Sequence, residues 1–181
     1  MISALLLRWI VTALFVLSAA EMVYALVKSH RTWTHVVSHL LHLVMAVAMA
    51  VMAWPRGAAL PTIASMVFFL LATVWFVGVV VAGLGHRLVN GYHATMMLAM
   101  AWMYAVMNRN LLPGVGTGHV VYVDVLNWAC TIGFTVTTLW WLYRYFVQPK
   151  AEPAQASHRF LGDASQAMMA AGMAIMFGVM L

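Results

Sequence analysis

Thioethers and imidazoles recur in this chain at one fixed spacing. His42, Met45, Met49 and Met52 stand at offsets of 0, 3, 7 and 10. The same offsets join His93, Met96, Met100 and Met103 and, with an amide in the leading place, Gln166, Met169, Met173 and Met176. Such offsets put all four side chains of a copy on one face of an α-helix. His39 and His35, 3 and 7 residues before His42, extend the first face. Soft sulfur with imidazole in an apolar setting is the ligand set that selects Cu(I).

Packing is the plain alternative. Methionine fills irregular gaps between helices, and the alanines beside it allow close approach. Leucine would pack as well, however, and 16 of the 181 residues are methionine. Nine of those fall into three matched registers, and two copies begin with histidine.

These faces must sit on membrane helices. Hydrophobic residues make up 65% of the chain and charged residues 7%, with a mean hydropathy of +0.94. Apolar runs long enough to cross a bilayer recur from end to end. The expected fold is an all-α membrane protein, one transmembrane domain over residues 1–181. Its six spans lie at roughly 6–27, 35–54, 61–83, 91–107, 120–146 and 160–180, each near the ~20 residues a crossing needs. They form three helical hairpins, with the ladder on spans two, four and six. Copies begin 51 and then 73 residues apart, a hairpin-level repeat stretched by unequal loops.

Punctuation supports these limits. Trp54-Pro55-Arg56-Gly57 closes the second span, and Pro61 suits the first turn of the third. Gly83-Leu84-Gly85 parts the third from the fourth, and Asn108 to Gly118 reads as a surface loop. Gln148 to Ser157 reads as a flexible linker. Trp33, Trp54, Tyr92, Trp128, Trp140, Trp141 and Tyr145 fall near span ends, as interfacial aromatics do. The first span continues too far for a signal peptide and reads as a retained helix. Lys28, Arg31, Arg87, Arg144, Lys150 and Arg159 lie on one side, Arg8, Arg56 and Arg109 on the other. The positive-inside rule then puts both termini outside a multi-pass bacterial plasma membrane.

If spans two, four and six turn their ladders towards a shared axis, Met45, Met96 and Met169 form one layer. Met49, Met100 and Met173 form a second about 6 Å away, and Met52, Met103 and Met176 a third about 4.5 Å beyond. His42, His93 and Gln166 would ring the cytoplasmic end. Three thioethers suit trigonal Cu(I), and stacked sites would let an ion step along.

The other polar residues are less telling. His30, His86, His119 and His158 read as surface groups, and Glu21 as a lone carboxylate inside the first span. Asp163 reads as a helix-dipole partner in the first turn of the last helix. Asp124 and Asn127 lie near the start of span five, and Cys130 is a lone thiol. Phosphate-binding glycine loops, paired carboxylates and nucleophile elbows are absent, so no enzyme is expected. No stretch resembles a nucleic-acid motif either. The expected partners are the lipid bilayer and other membrane-protein subunits.

The chain resembles a family of six-span membrane proteins of mycobacteria and related actinobacteria with no assigned activity. The resemblance rests on His39-Leu-Leu-His42-Leu-Val-Met45-Ala-Val-Ala-Met49-Ala-Val-Met52-Ala-Trp54-Pro55, on Tyr92-His93 with Met96 to Met107, and on Met168 to Met176. It implies an actinobacterial plasma membrane. A narrower similarity links the three Met-x-x-x-Met pairs to those of Ctr-type copper transporters, whose Gly-x-x-x-Gly helix has no clear counterpart here. The leading functional expectation is Cu(I) binding in copper transport, storage or delivery. Haem b held between His42 and His93 in an electron carrier is a second, and a non-catalytic accessory subunit a third.

Overall fold

A computed structural model describes residues 5–28, 33–54, 62–84, 87–108, 121–147 and 153–181. They form six α-helices: α1 (Leu5–Lys28), α2 (Trp33–Met52), α3 (Thr62–Val81), α4 (Arg87–Met107), α5 (Val121–Val147) and α6 (Pro153–Val179). No strand occurs among the described residues. In an apolar medium each backbone N–H and C=O needs a partner within the chain, and a helix supplies one locally. Threonine hydroxyls solve the same problem by turning back one turn. Thr12, Thr73, Thr95, Thr131, Thr135, Thr137 and Thr138 each donate to the carbonyl four residues earlier, at 2.7–3.0 Å.

Among the described residues, three helices are long and apolar enough by themselves to cross a membrane: Leu5–Tyr24 of α1, Thr62–Val81 of α3 and Val121–Val147 of α5. Six such spans were expected. The helices outside this set are α2, α4 and α6, of which α2 is apolar over a shorter described stretch. Polar residues such as Asn90, His93, Ser165 and Gln166 lower the hydropathy of α4 and α6, whereas α2 is an apolar helix over Val36–Met52.

Two boundaries also differ from expectation. The α6 helix begins at Pro153 rather than near residue 160, so the later half of the expected linker is helical. Proline at a first helical position has no N–H to leave unsatisfied and a φ already suited to the helix. The α4 helix begins one turn early, at Arg87. Ahead of it α3 closes in a Schellman cap. Gly83 adopts φ +69°, Gly83 N–H donates to Val80 O at 3.2 Å, and Leu84 N–H donates to Val79 O at 3.1 Å. Pro55, Pro61, His30, His86 and the Arg109–Gly118 segment lie outside the described residues.

The helices divide between two compact units, one holding α1, α2, α5 and α6, the other α3 and α4. In the second, α3 and α4 form an antiparallel hairpin. Phe76 meets His93 edge-on at 5.4 Å, Phe69 stacks on Tyr104 at 5.8 Å, and Asn108 Nδ2 donates to Thr62 Oγ1 at 3.0 Å.

In the first unit α1 packs along both α2 and α6. Trp9 meets Trp54 edge-on at 5.3 Å, and Trp54 Nε1 donates to Thr12 Oγ1 at 3.1 Å. Phe15 lies so close over Gly172 that a Cβ there would collide with its ring. The α5 and α6 helices meet antiparallel. Phe134 stacks on Phe177 at 6.0 Å and Arg144 faces Asp163 at 3.9 Å. The pairs α1–α2, α3–α4 and α5–α6 therefore each make the contacts of a hairpin.

Candidate metal centre

Every methionine of the three ladders is buried, none more than 7% exposed. Six further methionines are described, and of these only Met22 and Met97 are buried. Burial thus picks out the ladder positions rather than methionine in general. The pattern is also wider than the four offsets read from sequence. Counted from His42, His93 and Gln166, the residues at +3, +4, +7, +10 and +11 are buried in all three helices. The +4 position holds Ala46, Met97 and Ala170. The +11 position holds Ala53, Tyr104 and Phe177. Residue type varies at these two places, so sequence repetition alone does not reveal them. Tyr104 and Phe177 stack on the neighbouring helix of their own unit, through Phe69 and Phe134. The repeat therefore combines an aromatic or small anchor with three thioethers lying at most 100° apart around the helix.

The three leading residues differ. His42 is 3% exposed, and its Nδ1 lies 2.8 Å from the Ser38 carbonyl. A carbonyl only accepts, so Nδ1 carries the proton and the Nε2 lone pair is directed away from the helix backbone. Histidines that ligate metals usually have their other nitrogen held this way. His93 is half-buried against the Phe76 ring and beside Tyr92. Gln166 is half-buried, and its Oε1 is enclosed with no hydrogen-bond partner among the described residues. His39 is half-buried on α2. The side chain of His35 lies outside the described residues, as does that of His158.

No group of three or more His, Cys, Asp or Glu side chains comes together among the described residues. Hard-ligand and thiolate sets are therefore not assembled there, and sulfur from methionine is the donor present in quantity. His42, Met45, Met49, Met52, Gln166, Met169, Met173 and Met176 belong to the first unit. His93, Met96, Met100 and Met103 belong to the second.

Other sequence candidates take different places. Asp163 is not in the first turn of its helix, because α6 starts ten residues earlier at Pro153. It faces Arg144, whose guanidinium also lies 4.9 Å over the Trp141 ring. Trp141 is buried. Asn127 is buried on α5, Asp124 occupies the first turn of that helix, and Glu21 and Cys130 are half-buried.

Sequence reasoning missed Met22 and Ser18. Both are buried on α1, in a stripe with Val11 and Phe15. The heptad-like spacing 11, 15, 18, 22 was available to find them, but α1 carries no copy of the ladder to draw attention there.

The family model for a domain of unknown function, DUF5134, matches residues 34–180. The chain is 44% identical to the uncharacterized protein Rv0970 of Mycobacterium tuberculosis (strain ATCC 25618 / H37Rv), in an alignment covering 100% of this chain and 99% of the relative. Identity and coverage are the same for the uncharacterized protein Mb0995 of Mycobacterium bovis. No solved structure matches the chain.

Proposed function

Because the chain belongs to the DUF5134 family, a domain of unknown function that lends it no activity, we propose from its own side chains that it binds Cu(I) in a membrane. Methionines of the ladders, with His42, are the ligands, and the role is copper transport, storage or delivery. The observation that carries this reading is the burial of all nine ladder methionines at matched positions. Burying methionine costs roughly 1 kcal/mol more side-chain entropy than burying leucine. A core selected for packing alone has no reason to incur that cost at nine repeated sites. A ligand does, because thioethers coordinate Cu(I) without a charge that would need stabilising in hydrocarbon. Several weak thioether sites along a helix also hold an ion without trapping it.

All six helices cross the membrane in this reading. At 1.5 Å per residue, even the 20 residues of α2 reach about 30 Å, the thickness of the hydrocarbon core. The polar residues of the ladder helices then occupy protein-facing or interfacial positions. Both termini lie outside, so alkaline phosphatase fused to the C-terminus is active and a fluorescent protein fused there is dark. The reverse pattern overturns this orientation.

Metal content tests the main proposal. Protein purified under reducing conditions retains copper, and the combined change Met49→Leu, Met100→Leu and Met173→Leu removes most of it. Equal copper in both samples, or none in either, rejects the proposal. A Soret band in the same sample would point instead to haem.

A further inference from the structure

We propose that α1 completes a three-thioether Cu(I) site with α2 and α6, Met22 joining Met45 and Met169; this rests on the Cu(I) reading above. The first unit contains two ladder helices, and two helices supply only two thioethers per layer. Trigonal Cu(I) needs a third. The α1 helix packs on both, through one narrow stripe of Val11, Phe15, Ser18 and Met22.

Register places Met22 at the right depth. Thr12 meets Trp54, so 10 residues further along α1 the antiparallel α2 has returned to Val44, next to Met45. Phe15 meets Gly172, so 7 residues further the level on α6 is Ser165, one turn from Met169. Side chains lean towards the N-terminus of their own helix. In the alternating crossing of all six helices proposed above, α1 runs opposite to α6, so Met22 and Met169 lean towards each other's level. That closes much of the one-turn gap.

A second observation marks the same place. Seven threonine hydroxyls and that of Ser165 turn back to carbonyls of their own helices. Ser18 is fully buried, yet its Oγ has no hydrogen-bond partner among the described residues. Its level is that of Ala48 on α2 and Met169 on α6. Gln166 Oε1 is the other enclosed oxygen without such a partner in this unit, and its level on α1 falls between Ser18 and Met22. Two enclosed, unsatisfied oxygens within a turn of one thioether mark a position for a polar or charged guest.

The test uses the full chain, Cu(I) and a competing chelator, with the sulfur count read from the copper X-ray absorption edge. Met22→Leu keeps the volume and removes the donor. It weakens Cu(I) binding about tenfold or more, the low end of what even ligand-supporting residues cost at metal centres, and lowers the sulfur count. Met22→Cys restores sulfur and retains binding, which a packing role does not require. Met66→Leu on α3 changes neither quantity. If the wild type binds Cu(I) and Met22→Leu binds it equally, Met22 is no ligand while the Cu(I) reading stands. Loss in Met22→Cys as large as in Met22→Leu also overturns the inference. A wild type that binds no Cu(I) overturns both.

Discussion

Within one hairpin, α3 and α4 differ in apolarity and in burial. The α3 helix is apolar enough to cross a bilayer alone, yet buries only Phe69, Ala72, Phe76 and Val79. The α4 helix is less apolar, yet buries eight residues, four of them methionine. The same contrast holds for α5 against α6, which buries Met169, Met173 and Met176. In α1, α3 and α5 the apolar windows are 17–22% buried, and the remaining apolar surface suits lipid. In a bilayer, hydropathy reports what meets the solvent, not what meets the protein. The buried polarizable side chains of α4 and α6 therefore sit on the less apolar helix of each of these two hairpins.

Core truncation separates the two kinds of helix most strongly. Met100→Ala removes a fully buried side chain and should cost about 2–5 kcal/mol in reversible unfolding from detergent. Leu71→Ala, on α3 at a position 64% exposed, should cost well under half as much. Equal costs would break the distinction between ladder and lipid-facing surface.

Glycine substitutions sharpen the same comparison at the backbone. A Cβ at Gly172 collides with the stiff Phe15 ring, while at Gly178 its nearest neighbour is Thr131 Cγ2 at an ordinary 3.7 Å. Gly172→Ala should destabilise by about 1–3 kcal/mol, the usual cost of overpacking. Gly178→Ala should be neutral or slightly stabilising in the same unfolding assay. A neutral Gly172→Ala would mean that α1 does not seat against α6 as described.

Charge contributes least. Asp163→Asn breaks a 3.9 Å pair whose side chains are 34% and 15% exposed, so its expected cost is at most about 1 kcal/mol. The cost should shrink as salt is raised. A loss as large as that of Met100→Ala would place the Arg144–Asp163 pair among the main supports of the fold.

Much of this was legible in the sequence because apolar helices obey simple periodicities. The six helices, their hairpin contacts and the ladder faces follow from apolar runs and from offsets of 3, 7 and 10. What escaped shares one cause: it depends on neighbours rather than on repetition. The N-terminal turns of α4 and α6 are polar, so they read as loop although they are helical. Asp163 reads as a dipole partner until Arg144 is placed across from it. The +4 and +11 positions change residue type among the copies; at +11, Tyr104 stacks on Phe69 of α3 and Phe177 on Phe134 of α5. Met22 and Ser18 stand alone in α1, and only the packing of that helix on α2 and α6 gives them meaning.

The claim that thioethers of the ladders bind Cu(I) is tested most directly by X-ray absorption at the copper edge of the loaded, reduced protein. The expected first shell is dominated by sulfur, with nitrogen from His42 as a minor component, and the sulfur contribution falls when Met49, Met100 and Met173 become leucine. With a single cysteine in the chain, any sulfur beyond the first on a copper has to come from methionine. A shell of nitrogen and oxygen alone, or protein that retains no copper, would contradict the account.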